Sequence, residues 1–383
     1  MAGIYLHIPF CKQACFYCDF HFSTSFKKKD ELISCLITEL EIRKPELENE
    51  TIETIYFGGG TPSLLTIEEI ELLLKSIYKN YKVVENPEIT LEANPDDLMS
   101  PRAESRDLTI YESYKSVGIN RLSIGVQSFF EDDLKLMNRA HNAEEAKNCL
   151  SLATRHFDNI TVDLIYGIPN MSNKKWQQNL QTIFDLGINH ISSYALTVEP
   201  NTALASFIST GKYPPLNEEL AKQHFDVLLS ETQKQGFVQY ETSNFGKPNY
   251  FSKHNTSYWL GENYIGIGPS AHSFIQTHRS WNISNNTKYI KSILDNKLPN
   301  EVEKLSKEDL FNEYIMTGLR TIWGVSLAKV EKDFGDVYIE YLEKQSKKYI
   351  NKELLYIENQ VLKTTQRGKF LVDGIASDLF ILN

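Results

Sequence analysis

The sequence predicts an α/β protein, a partial (β/α)6 TIM-like barrel followed by a small winged-helix-like α+β module. Between residue 4 and about residue 235, six β-rich runs alternate with one-faced helical patterns, the order expected of a parallel sheet built from β-α units. The residues with chemical potential fall near the C-terminal ends of those runs, where barrels of this kind gather their functional groups. From about residue 306, helical patterns return and are followed by two short β-rich runs and a last helix.

The predicted strands run from Ile4 to Ile8, Thr54 to Phe57, Glu88 to Ala93, Arg121 to Val126, Ile160 to Tyr166 and His190 to Thr197. Between them, Ile33, Leu36, Ile37 and Leu40 recur at helical spacing, as do Ile67, Ile70, Leu74 and Ile77, and then Trp176, Leu180 and Ile183. Tyr213-Pro214-Pro215 interrupts the chain before another helical pattern through Leu220, His224 and Leu228. Residues 1–236 are therefore read as the barrel. Residues 237–300 have no clean period and are read as a loop-rich connector. Residues 301–383 form the C-terminal module, with helical spacing in Phe311, Ile315 and Leu319, a hairpin from Leu354 to Lys363, and a final helix capped by Thr365.

Composition narrows the function. Of 383 residues, 41% are hydrophobic and 23% charged, which excludes wholesale disorder and fibrous classes. A net charge of −10 disfavours a nucleic-acid partner and points to a small ligand or a protein. The start of the chain has no basic segment before its short apolar run, and no stretch approaches the roughly 18 apolar residues of a membrane span. A cytoplasmic protein without a transmembrane segment is expected.

Cys11, Cys15 and Cys18 make a CxxxCxxC loop directly after the first strand. Three thiolates are one fewer than a closed zinc or iron–sulfur site needs, so the trio borrows a further ligand or leaves a metal position open. Soft thiolates on a tight loop favour an iron–sulfur cluster over zinc completed by His7 or His21. Cys35 and Cys149 sit in helical patterns and read as core. Gly58-Gly59-Gly60-Thr61-Pro62 follows the second strand and lets backbone approach a ligand closely, although a plain tight turn is the alternative.

Together with Glu92-Ala93-Asn94-Pro95, Arg121–Phe129 (RLSIGVQSF) and Asp163–Pro169 (DLIYGIP), these motifs resemble radical S-adenosylmethionine proteins, and more narrowly the oxygen-independent coproporphyrinogen oxidase family. The resemblance implies a [4Fe–4S] cluster on Cys11, Cys15 and Cys18, with S-adenosylmethionine on the remaining iron. It also implies that Tyr5, Gly59, Gly60, Thr61, Glu92, Gln127, Arg139 and Asp163 contact that cofactor. The oxidase branch extends its motif to CxxxCxxCxC and has an N-terminal arm. Here Phe20 holds the last position and only Met1–Gly3 precede the first strand, so coproporphyrinogen III oxidase activity becomes the lesser alternative.

His254-Asn255-Thr256-Ser257-Tyr258-Trp259 is the third feature. His254 and Tyr258 share a face whether the segment is helix or strand. A neutral imidazole is a common axial ligand of haem iron and aromatic rings suit the macrocycle, while a hydrogen-bonded structural histidine is the alternative. The HNxxYW pattern resembles the haem-binding signature of the family's haem-chaperone branch, which also replaces the extra cysteine. The resemblance thus implies haem bound by His254, Tyr258 and Trp259 and passed to an acceptor, such as a respiratory haem protein. His272, in Gly266-Ile267-Gly268-Pro269-Ser270-Ala271-His272, reads as structural.

Overall fold

A computed structural model describes residues 2–99 and 109–382. Six strands lie parallel and side by side in chain order: β1 (Ala2–Ile8), β2 (Ile52–Gly59), β3 (Val83–Ala93), β4 (Arg121–Gln127), β5 (Ile160–Tyr166) and β6 (His190–Ala195). They coincide with the six predicted strands, with β3 starting five residues before Glu88. Every position of β4 is buried, which fits a parallel sheet covered on both faces.

The helices cover that sheet through the expected faces. In Ile67–Asn80, Thr66 accepts from the Glu69 N–H while the Glu69 carboxylate accepts from the Thr66 N–H, which closes a capping box. Its buried residues Ile70, Leu73, Leu74 and Ile77 recur at three- and four-residue spacing. Glu218–Lys234 begins on an Asn217 cap, just past the Pro214-Pro215 break.

The 237–300 stretch is not the loop-rich connector its sequence suggests. It contains β7 (Val238–Gln239), β8 (Asn244–Gly246), β9 (Asn263–Ile267), β10 (His272–Ile275) and β11 (His278–Asn282), and leads into β12 (Asn300–Lys304). β8 pairs antiparallel with β6, and β9 pairs parallel with β1, so this stretch extends both edges of the barrel sheet. The order is β12-β11-β10-β9-β1-β2-β3-β4-β5-β6-β8-β7, an open sheet. Strands of two to five residues are too short to show a period.

Glu39, wholly buried on helix Lys29–Ile42, ties this added sheet to the barrel. It accepts from the Tyr289 hydroxyl (2.6 Å), the Asn282 amide (2.7 Å) and the Gly268 N–H (2.7 Å), with Arg43 at 3.7 Å. Burial raises its carboxyl pKa and these donors oppose the rise.

The C-terminal module has its own core, with Phe311, Ile315, Val330, Leu342 and Leu362 at its centre. β14 (Leu355–Glu358) and β15 (Val361–Thr364) form the predicted hairpin, joined by the two-residue β13 (Val325–Ser326). The last helix, Val372–Ser377, starts later than a Thr365 cap implies, because the Thr365 hydroxyl accepts from Gly368 N–H and closes a local turn. Among the described residues no helix is long and apolar enough to cross a membrane.

Candidate functional site

The cysteine loop is pinched shut at its base. Cys11 N–H donates to Ser23 O (3.1 Å) and Ser23 N–H to Pro9 O (2.8 Å), so Cys11, Cys15 and Cys18 project from a closed turn beyond β1. All three are partly exposed free thiols, and they line one cavity of about 150 Å³. The same cavity receives Gly59, Gly60, Thr61, Glu92, Gln127, Arg139 and Asp163 from β2 to β5 and their loops. Tyr5 does not reach it. Its ring stacks on Tyr56 (centroids 6.0 Å apart) and faces a neighbouring cavity.

Glycine is required in the turn after β2. Gly59 has φ 106°, and a Cβ there would stand 2.6 Å from His7 Nδ1. A Cβ on Gly60 would stand 2.7 Å from the Phe10 carbonyl oxygen. The backbone thereby lies directly against the cysteine loop. At the end of β4, Gln127 adopts φ 69° where the register with β5 skips a residue, a strained bulge that puts its side chain at the cavity.

The donor set fits an iron–sulfur cluster. Thr61 Oγ1 lies 3.5 Å from Cys11 Sγ, and Arg139 Nη1 lies 3.3 Å from Cys15 Sγ, so a hydroxyl and a fixed cation face sulfurs that must ionise to bind iron. Arg139 is itself held by Asn94 (2.6 Å) and the Gly125 carbonyl (2.7 Å), and its buried Nε has no hydrogen-bond partner among the described residues. Burial raises the Cys11 thiol and pushes Cys18 up to about 11. Among the described residues no three His, Cys, Asp or Glu side chains lie close enough to grip one metal ion. As a zinc ligand through Nε2, His7 would have to give up its contact with the His21 carbonyl (3.0 Å).

Two half-buried carboxyls close the far side. Burial pushes Glu92 up to about 7 and Asp163 up to about 6, and neither is in an ion pair among the described residues. Glu92 accepts from Tyr56 Oη (2.8 Å) and Gly59 N–H (3.1 Å), and Asp163 from Ser123 Oγ (3.4 Å). A ligand with an ammonium group and sugar hydroxyls, as S-adenosylmethionine has, suits both.

His254 and Tyr258 do share a face, on helix Lys253–Trp259, whose Ser252 cap accepts from Asn255 N–H. Yet His254 is 1% exposed and is not among the residues lining the cysteine cavity or the two cavities beside Tyr258. Its Nδ1 bonds Thr54 Oγ1 (2.7 Å), its Nε2 bonds Tyr258 Oη (2.6 Å), and its ring stacks on Tyr56 at 4.9 Å. The space it fills exists because Gly3 has no side chain, since a Cβ there would stand 3.2 Å from the imidazole. Burial lowers its pKa to about 3, so the ring is neutral.

Tyr258 and Tyr264, with centroids 4.3 Å apart, separate two further cavities. One, of about 440 Å³, shares Phe20, Gly59 and Glu92 with the cysteine cavity and is bordered by Tyr5 and His272. The other, of about 700 Å³, lies between Trp259 and the C-terminal module, with Tyr314 and Phe334 on its far wall. Arg320, ion-paired with Asp373 (2.6 Å), sits 5.8 Å over the Trp259 ring. Sequence reasoning did not single out Asn94, which links Arg139 to Thr61 (3.2 Å), although it stands in the Glu92–Pro95 motif. It also missed Tyr264, which has no motif signal.

Comparison with known proteins shows the family. The Radical SAM superfamily profile matches residues 5–183, and the HemN C-terminal domain profile matches residues 305–371. The chain is 31% identical over 375 residues to the "Heme chaperone HemW" of Bacillus subtilis, covering 97% of both chains. It is 33% identical over 378 residues to the protein so named from Buchnera aphidicola subsp. Acyrthosiphon pisum, covering 97% of this chain and 96% of that one. Among solved structures, the coproporphyrinogen III oxidase (HemN) of Escherichia coli superimposes with a TM-score of 0.83 at 20% identity, covering 99% of this chain and 90% of that one. At that identity the match speaks to the fold alone.

Proposed function

The chain belongs to the heme chaperone HemW family within the radical SAM fold, and from that premise we propose that it binds haem and delivers it to an acceptor protein. The observation that supports this best is the pair of adjoining cavities. An aromatic-walled space of about 440 Å³ meets the cysteine cavity across Phe20, Gly59 and Glu92, so a flat apolar ligand would lie beside the cluster.

In this reading Cys11, Cys15 and Cys18 hold a [4Fe–4S] cluster. Gly59, Gly60, Thr61, Glu92, Gln127, Arg139 and Asp163, with Tyr5 nearby, receive S-adenosylmethionine. The reduced cluster would supply the electron that cleaves this cofactor in radical chemistry. The residues of the chain itself do simpler work: Arg139 stabilises thiolate charge, and Glu92 and Asp163 take up donors. Haem lies against helix Lys253–Trp259, where Tyr258 and Trp259 present rings to the two cavities and His254 braces Tyr258. The protein acts in the cytoplasm and serves a haem protein such as one of the respiratory chain. Its C-terminal module packs against the barrel or docks a partner.

Phe20 counts against the oxidase alternative, because it leaves the extra cysteine position of that branch without a thiol. Anaerobic cluster reconstitution followed by haem titration and a coproporphyrinogen assay on one sample tests the choice. The expected result is a Soret shift on haem addition, weakened in His254→Ala, with no protoporphyrinogen formed. Product formation without haem uptake would sink the chaperone reading. Release of 5′-deoxyadenosine separates turnover from cofactor binding alone.

A further inference from the structure

Asn94 follows β3 and takes the cap position of the short helix Pro95–Leu98, yet its side chain makes no capping bond there. An asparagine so placed ordinarily turns its carboxamide oxygen onto the N–H groups of its own helix. Here the amide lines the cysteine cavity instead. Its Oδ1 accepts from Arg139 Nη2 (2.6 Å), and its Nδ2 donates to Thr61 Oγ1 (3.2 Å).

Those two partners are the groups that face the sulfurs. Arg139 Nη1 reaches Cys15 Sγ at 3.3 Å, and Thr61 Oγ1 reaches Cys11 Sγ at 3.5 Å. One amide therefore holds a donor at each of two cysteines. The surroundings leave it room and fix its backbone. A Cβ on Gly125 would stand 3.3 Å from Arg139 Nη2 and 3.4 Å from Asn94 Oδ1, so a side chain there would crowd the pair. Asn94 N–H donates to Ser63 Oγ (3.4 Å), and Ser63 Oγ donates to Asp97 Oδ2 (2.7 Å). Lys12, inside the cysteine loop, pairs with Asp96 (2.8 Å) and with Asp97, which ties the loop to the same turn.

An amide and a carboxylate would serve Arg139 differently. The guanidinium bonds Asn94, the Gly125 carbonyl and Cys15, so apart from the sulfur its acceptors are uncharged. Asp96 also acts on Arg139, but it is already paired with Lys12. The cation is thus held firmly while its charge stays available on the sulfur side. An aspartate at position 94 would hold it equally well and cancel that charge.

We propose that Asn94 is a positioning residue of the cluster site, a neutral amide that sets Arg139 on Cys15 and Thr61 on Cys11 without neutralising the cation. This rests on the reading that Cys11, Cys15 and Cys18 hold a [4Fe–4S] cluster, and deepens it. Hydrogen bonds and positive charge beside cluster sulfurs raise the reduction potential, and outer partners of this kind slow the loss of metal.

Anaerobic reconstitution of the full-length chain tests the assignment, read by iron release to a chelator, by redox titration and by electron paramagnetic resonance of the reduced cluster. Asn94→Ala should fold and load a cluster, release iron about tenfold faster than the unaltered protein, and titrate at a more negative potential with an altered resonance. Asn94→Asp keeps the shape and the acceptor for Arg139 but adds a negative charge, so its potential should also fall. Potentials that match the unaltered protein in the folded variants overturn the proposal, even if iron is lost faster, since that pattern marks a structural tie alone. Should Asn94→Ala not fold, the nearly isosteric Asn94→Asp decides on the same readouts. Failure of the unaltered protein to take up a cluster overturns the cluster reading itself, and the assignment with it.

Discussion

The Nε2 atom of His254 lies 2.6 Å from the Tyr258 hydroxyl, and its Nδ1 lies 2.7 Å from Thr54 Oγ1, so one imidazole joins β2 to helix Lys253–Trp259. His254→Ala should destabilise the haem-free protein by about 3 kcal/mol, since it opens a cavity and leaves two buried hydroxyls unpaired. Urea unfolding measures this. A loss below about 1 kcal/mol would mean the helix is held by other contacts.

The same histidine gives a pH dependence of known sign. Its folded pKa of about 3 lies below the ordinary 6.5, so its contribution is complete above pH 6.5 and is lost as pH falls toward 3. The acid limb of the stability–pH curve should therefore be shallower in His254→Gln.

Glu92 acts in the opposite sense. Its folded pKa of about 7 exceeds the ordinary 4.5, so the stability linked to its proton is full below pH 4.5 and is lost as pH rises through 7. Glu92→Gln should remove a decline of about 2–3 kcal/mol across that window in the cofactor-free protein. If S-adenosylmethionine engages this carboxylate, the substitution should also weaken its binding, which equilibrium dialysis reads directly.

Replacing any one of Cys11, Cys15 and Cys18 by Ala should abolish the reconstituted cluster, seen as lost iron content and lost visible absorbance, while the fold persists by circular dichroism. Arg139→Ala should leave the trio in place but make the cluster more labile, because the cation 3.3 Å from Cys15 Sγ is gone. Full iron retention in each cysteine variant would exclude the loop as the cluster site.

Glu39→Ala should be among the most damaging substitutions outside the site. It removes the acceptor of three buried hydrogen bonds, at a cost of about 3–5 kcal/mol, while Arg43 keeps its pair with Glu46. Because those bonds reach Gly268, Asn282 and Tyr289, protease sensitivity should rise first between residues 260 and 300.

The six parallel strands were legible because buried runs such as β4 stay apolar or small between their ends, here from Leu122 to Val126. β8 and β9 were not, since three to five residues cannot display a period and their pairing with β6 and β1 is non-local. Much of the lining of the cysteine cavity could be read from motifs that end strands of one sheet, whereas Tyr5 turns to the neighbouring cavity and Asn94 was passed over. The accessibility of the histidines could not be read. His254 is buried against Gly3, whose missing side chain matters only once β1 and β2 are in register.

The pairing of β1 with β9 sets an order of events during synthesis. β1 is made first, yet its outer edge stays without a neighbour until Asn263–Ile267 has emerged, which at roughly 5–20 residues per second takes roughly 13–50 s. Throughout that interval the thiols of Cys11, Cys15 and Cys18 hang from an unsealed edge. Closure of the edge that carries the cysteine loop therefore waits on a segment translated after all six strands of the parallel sheet.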